Sequence, residues 1–234
     1  MPSVPADILS AMRFFLTALF CSLIVLSGSQ AEETKSRPKP ERWDKVIGKF
    51  VEADAAKPPT QGGILFVGSS SIRMWDTERW FPKLNTLNRG FGGSWIQDSI
   101  HHAEKIVFPY APKSIVLYAG DNDVSGGLKA TAVFEDYVRF ADQVHERLPK
   151  TEIIFIAIKP SIKRWNLWPE MKAANDLVAK RCQDQPLERF ADIAPLMLGA
   201  DGVPDRKFFI KDGLHMTDAG YEAWSELLRT MLDS

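Results

Sequence analysis

The chain has 234 residues, 45% of them apolar and 25% charged, with a formal net charge of -1. That composition is globular rather than disordered and leaves no basic footprint for nucleic acid. After a leader there is room for one domain of about 200 residues with its own hydrophobic core, so a single catalytic domain acting on a small-molecule or surface substrate is the expectation.

Phe14 to Leu26 is an almost unbroken apolar run, followed by Ser27-Gly28-Ser29-Gln30-Ala31. At about 13 residues the run is too short to span a bilayer as a helix, and the small residues after it fit a signal-peptide cleavage site. Residues 1–31 therefore read as a signal peptide cleaved after Ala31, with Met12-Arg13 offering an alternative start. The protein is expected to be exported, periplasmic or secreted, with no stable membrane insertion after cleavage. Loss of the leader removes Cys21 and leaves Cys182 alone, so no internal disulfide forms and Cys182 reads as an inert, partly buried thiol.

Residues 32–40 are polar and proline-bearing and read as an extended linker to a domain covering 41–234. Trp43, Val46, Ile47, Phe50 and Val51 share one face of a helix that ends before Pro58-Pro59 and serves as scaffold. Five apolar runs then read as strands: Ile64 to Val67, Leu84 to Leu87, Ile115 to Tyr118, Ile153 to Ile158 and Phe190 to Ile193. Continuous runs without strict alternation suit a parallel sheet covered on both faces. Helical patterns over 96–107, 132–148, 170–181 and 218–232 fill the gaps. The expected fold is a three-layer α/β/α domain with a five-stranded parallel sheet.

In such a sheet ligands gather where the strands end. Gly68-Ser69-Ser70-Ser71 follows the first strand, Arg89-Gly90-Phe91-Gly92-Gly93 the second, and Gly120-Asp121-Asn122-Asp123 the third. A serine hydroxyl is a poor nucleophile unless a base can take its proton and a carboxylate orients that base. Asp212-Gly213-Leu214-His215, just before the last helix, offers such a pair. An Asp-x-x-His alone is a weak signal; its order after the three loops is what carries the argument.

With these blocks in this order the chain resembles the SGNH, or GDSL-type, serine hydrolase superfamily from about Ile64 to Tyr221. Phe66 to Arg73 and Asn88-Arg89-Gly90 look like its platelet-activating-factor-acetylhydrolase-like branch. The resemblance implies a flavodoxin-like sheet and no metal or organic cofactor. It implies Ser70 as nucleophile, Asp212 and His215 as its partners, and Ser70, Gly93 and Asn122 as oxyanion-hole donors. The chain departs from the pattern at Ser69, where the family usually has an acid.

The implied activity is hydrolysis of short-chain, chiefly acetyl, carboxylic esters through an acyl-enzyme, with carbohydrate esters among the candidate substrates. Alternatives are a lysophospholipase or lipase-like acyl hydrolase, a flavin- or phosphate-binding flavodoxin-like protein, and a carbohydrate-binding protein without activity. An α/β-hydrolase is disfavoured because Ile72 stands where Gly-x-Ser-x-Gly needs its second glycine. Trp95, Arg164 and Trp165 are candidate substrate-binding residues, and Trp75 and Trp168 are either site or core aromatics. His101, His102 and His145 read as surface residues, and Asp121 and Asp123 as braces of their loop rather than metal ligands.

Overall fold

The computed structural model describes residues 37–232; the expected signal peptide and linker residues 32–36 lie outside them. Five parallel strands form the sheet: β1 (Ile64–Gly68), β2 (Thr86–Gly90), β3 (Ser114–Tyr118), β4 (Glu152–Ile156) and β5 (Glu188–Ala191), in the spatial order β2-β1-β3-β4-β5. This is the doubly wound order of a flavodoxin-like sheet. The helices are α1 (Asp44–Ala56), α2 (Ser70–Arg73), α3 (Thr77–Trp80), α4 (Ile96–His101), α5 (Ala103–Ile106), α6 (Asp121–Ser125), α7 (Ala130–Arg147), α8 (Trp168–Asp184) and α9 (Asp218–Leu232).

Successive strand side chains point to opposite faces, and here both faces are covered. Leu65, Val67, Ile115 and Leu117 join one core with residues of α1, α4, α5, α7 and α8. Ile64, Phe66, Val116 and Tyr118 join a second with Trp75, Tyr221, Trp224 and Leu228. The three layers expected from the apolar runs are therefore present. No helix among the described residues is long and apolar enough to cross a membrane.

Four local expectations are corrected. The second strand is Thr86–Gly90 rather than Leu84 to Leu87, because β2 lies at the sheet edge and is held through polar side chains. Asn88 Nδ2 donates to the carbonyls of Ile72 and Trp75 at 2.7 and 3.0 Å, and buried Arg89 pairs with Asp54. The single helix expected over 96–107 breaks into α4 and α5 at His102. His102 is buried rather than on the surface, with Nε2 at 3.1 Å from the Pro40 carbonyl. That contact, the Gln97 hydrogen bond to the Pro38 carbonyl at 2.7 Å and the Arg37–Asp136 pair also fasten residues 37–40 to the domain, so this part of the expected linker is packed against it.

In-register pairing sets the strand ends side by side. Gly68 lies opposite Gly90 in β2 and opposite Tyr118 in β3. The three polar loops consequently leave one edge of the sheet together, with the chain turning to one side after β1 and to the other before β3. That divergence is where an open α/β sheet forms its crevice.

Candidate active site

Ser70 opens α2 directly after β1, so no residue of that helix accepts its backbone N–H. Ser69 is fully buried; its N–H donates to the Tyr118 carbonyl at 3.0 Å, while its carbonyl accepts from Ile72 and Arg73. The Ser69 hydroxyl has no hydrogen-bond partner among the described residues. Where the resembled family usually has an acid, a small side chain thus sits in the core, with its backbone N–H and carbonyl hydrogen-bonded into the turn.

His215 arrives from the far end of the chain on a tight turn. Phe209 and Met216 form an antiparallel bridge, and the Ile210 N–H donates to the His215 carbonyl at 2.9 Å. Inside the turn Asp212 Oδ1 accepts the N–H groups of Leu214 and His215 at 2.8 and 2.9 Å, leaving Oδ2 for His215 Nδ1 at 2.6 Å. His215 Nε2 lies 3.1 Å from Ser70 Oγ. Helix α9 ties this turn to the serine, since the Tyr221 hydroxyl donates to the Ser71 carbonyl at 3.0 Å.

Burial opposes ionisation of Asp212, but the His215 ring and the two backbone N–H groups outweigh it and hold the carboxyl down at about 2. The carboxylate is therefore charged wherever the imidazole needs it, and its stabilising contribution is lost only as pH falls through that value.

Asn122 stands on α6 after β3 and faces the same cleft. Its Nδ2 donates to the Ser94 carbonyl at 3.0 Å, and its Oδ1 accepts from Arg164 Nη2 at 2.9 Å. These partners fix the amide orientation and leave the second Nδ2 hydrogen for the cleft. Gly93 is exposed at a left-handed φ of +83°, and neither its N–H nor that of Ser70 is taken by another described residue. The cleft is about 460 Å³ and is lined by Trp43, Val46, Ser70, Arg73, Gly92, Gly93, Asn122, Leu214 and His215.

Beneath the cleft lies a buried polar cluster. Lys159, 1% exposed, donates to Ser71 Oγ at 3.0 Å and to the Tyr118 hydroxyl at 2.9 Å, and its ammonium is 3.5 Å from Asp121. Burial pulls that ammonium below the usual lysine value, while Asp121 opposes the shift. Asp121 also pairs with Arg164 at 3.0 Å. Asp123 accepts the N–H groups of Ile96 and Gly120 at 3.0 and 3.1 Å, the loop-bracing role expected of it.

Of the candidate substrate-binding residues, none lines the cleft. Trp95 is buried with its ring against Gly126, where a Cβ would stand 2.1 Å from the indole. Arg164 pairs with Asp121 and donates to the Asn122 amide oxygen, so its guanidinium holds that amide. Trp165 stacks on Trp168 with centroids 6.0 Å apart, and Trp75 belongs to the core. Trp43, expected as scaffold, does line the cleft, as does Arg73. The sequence sign of Lys159 is a lone lysine closing the apolar run of the fourth strand.

A doubly wound α/β/α domain with Ser, His and Asp hydrogen-bonded in sequence at its strand ends has the arrangement of a serine hydrolase. A family model agrees: the GDSL-like lipase/acylhydrolase family matches residues 74–223. The chain belongs to that family. The matched span begins four residues after Ser70 and includes Asn122, Asp212 and His215. Comparison with the curated proteins gives no match.

Solved structures share the fold. A Streptococcus pneumonia protein named for platelet activating factor superposes with a TM-score of 0.74 at 19% identity, covering 82% of this chain and 93% of its own. A Bacteroides fragilis acylhydrolase gives 0.70 at 18% identity, covering 85% and 98%. A Clostridium thermocellum family 3 carbohydrate esterase gives 0.58 at 15% identity, covering 73% and 94%.

Proposed function

We propose that this ester hydrolase acts through an acyl-enzyme formed on Ser70. His215 Nε2 takes the Ser70 proton as Oγ attacks the ester carbonyl, and returns it to the leaving alcohol; a water activated by the same imidazole then releases the acid. Asp212 holds the ring through Nδ1 and stabilises the imidazolium. The tetrahedral oxyanion is received by the N–H groups of Ser70 and Gly93 and by Asn122 Nδ2. The observation that carries this reading is the Asp212–His215–Ser70 chain at 2.6 and 3.1 Å, opening on a cleft that also holds Gly93 and Asn122.

The substrates we propose are short-chain, chiefly acetyl, esters, including carbohydrate esters. The apolar side chains lining the cleft are Trp43, Val46 and Leu214, a wall suited to a small acyl group. The carbohydrate esterase among the structural neighbours is consistent with a sugar alcohol half. Across a series of nitrophenyl esters, kcat/KM is expected to be highest at about two to four acyl carbons in a cleft of this size; an optimum at long chains would shift the assignment to a lysophospholipase or lipase. We also propose export through residues 1–31, on the apolar run and small-residue site described above. N-terminal sequencing of the mature protein should then start at Glu32, and retention of the leader sequence would count against it.

A further inference from the structure

Arg73 differs from the other arginines among the described residues in having no hydrogen-bonding or ion-pair partner there. Every other arginine among the described residues pairs with a carboxylate or donates to a carbonyl oxygen, as Arg79 does to Asp218 and Arg229 to Trp80. The Arg73 guanidinium has no hydrogen bond, ion pair or ring contact among the described residues. Asp76 and Glu78 follow closely in the chain, yet neither pairs with it, and Asp76 is used to cap α3 by accepting the Arg79 N–H at 3.1 Å.

Its place in the fold is specific. Ser70 and Arg73 are the first and last residues of α2, and side chains three apart on a helix are neighbours, with Cβ atoms about 5–6 Å apart. The Arg73 side chain runs across Gly92: Nε lies 2.8 Å from where a Cβ on residue 92 would stand, and Cζ and Nη2 lie at 3.4 Å. The missing side chain lets the guanidinium rest on the loop that also carries Gly93. No carboxylate lines the cleft; Asp76 and Glu78 line the adjoining pocket, which Arg73 also borders, without pairing with it. A guanidinium offers a planar fork of donors that matches carboxylate and phosphate oxygens.

We propose that Arg73 binds an anionic oxygen group on the alcohol half of the ester, making acidic alcohol esters, such as acetylated acidic sugars, the preferred substrates. The placement on the alcohol half rests on the short-acyl reading above, because a two- to four-carbon acyl group has no length left to carry a charge to Arg73. Fully neutral alcohol esters remain substrates but lack this contact.

The test compares 3-carboxyphenyl acetate and 3-acetoxyphenyl phosphate with phenyl acetate, in the wild type and in Arg73→Gln. The charged-to-neutral ratio of kcat/KM is expected to fall about tenfold or more in the variant, the size of one charge-assisted hydrogen bond. Arg73→Lys, which keeps the charge without the fork, should recover part of the ratio. The two charged esters show whether carboxylate or phosphate is the better fit. Equal ratios in wild type and Arg73→Gln would overturn the proposal. Calorimetric titration with 3-hydroxybenzoate against phenol reads the same preference without turnover, and equal affinity in the two proteins would likewise sink it. Turnover of phenyl acetate by the wild type and its loss in Ser70→Ala check the underlying mechanism separately.

Discussion

Ser70→Ala is expected to lower kcat on a short nitrophenyl ester by about 10,000-fold or more and to abolish labelling by a fluorophosphonate. The imidazole would then have no hydroxyl to activate, although Gly93 and Asn122 would still face the substrate. His215→Ala should lose a similar factor, because the serine is then left with its ordinary, unreactive proton. Groups that act as one unit are not additive, so the double variant should be little worse than either single one. Fluorophosphonate labelling of Ser70→Ala at the wild-type level would move the nucleophile elsewhere, with Ser71 the nearest alternative. Ser71 is poorly placed for that, since it is buried and its hydroxyl accepts from Lys159 at 3.0 Å.

Gly68→Ala should be the most damaging small substitution for the fold. Gly68 has a φ of +137°, and an added Cβ would stand 1.9 Å from the Tyr118 carbonyl oxygen and 2.7 Å from its carbon. The obstacle is the backbone of β3, which cannot turn aside as a side chain can. Relief requires parting β1 from β3 and stretching the Ser69 N–H bond to Tyr118. Backbone strain and overpacking together are expected to remove about 3 kcal/mol or more of stability. For a domain of this size that is a fall in Tm of about 10 °C, measurable by circular dichroism. A melting point within about 2 °C of the wild type would show that the strand pair yields easily. Any folded fraction should also be slow, because Ser70 is two residues away and depends on the same turn.

Much of the site was legible because each polar block sits in a βα loop or a turn, next to an apolar segment that a periodicity reading detects. Gly68-Ser69-Ser70, Asn122 and Asp212-x-x-His215 all stand out in this way. The edge strand β2 starts two residues later than its apolar run for the complementary reason. Thr86-Leu87-Asn88-Arg89-Gly90 is held by the Asn88 amide and by the pairing of Arg89 with Asp54 and with the Tyr110 hydroxyl at 2.8 Å, interactions between distant segments that no local apolar run announces.

The alternation of strands and helices follows from the amino-acid order alone, and with it the order in which Ser70, Gly93, Asn122, Asp212 and His215 reach one sheet edge. Hydrophobic periodicity and turn chemistry are local, so a single chain displays them. That Trp43 walls the cleft, that Arg164 holds the Asn122 amide, that Lys159 pairs with Asp121 and that Arg73 is left unpaired among the described residues emerge only once the chain is folded. Those facts depend on which side chains from separate elements fill the same space, and packing at that scale is set by the whole fold.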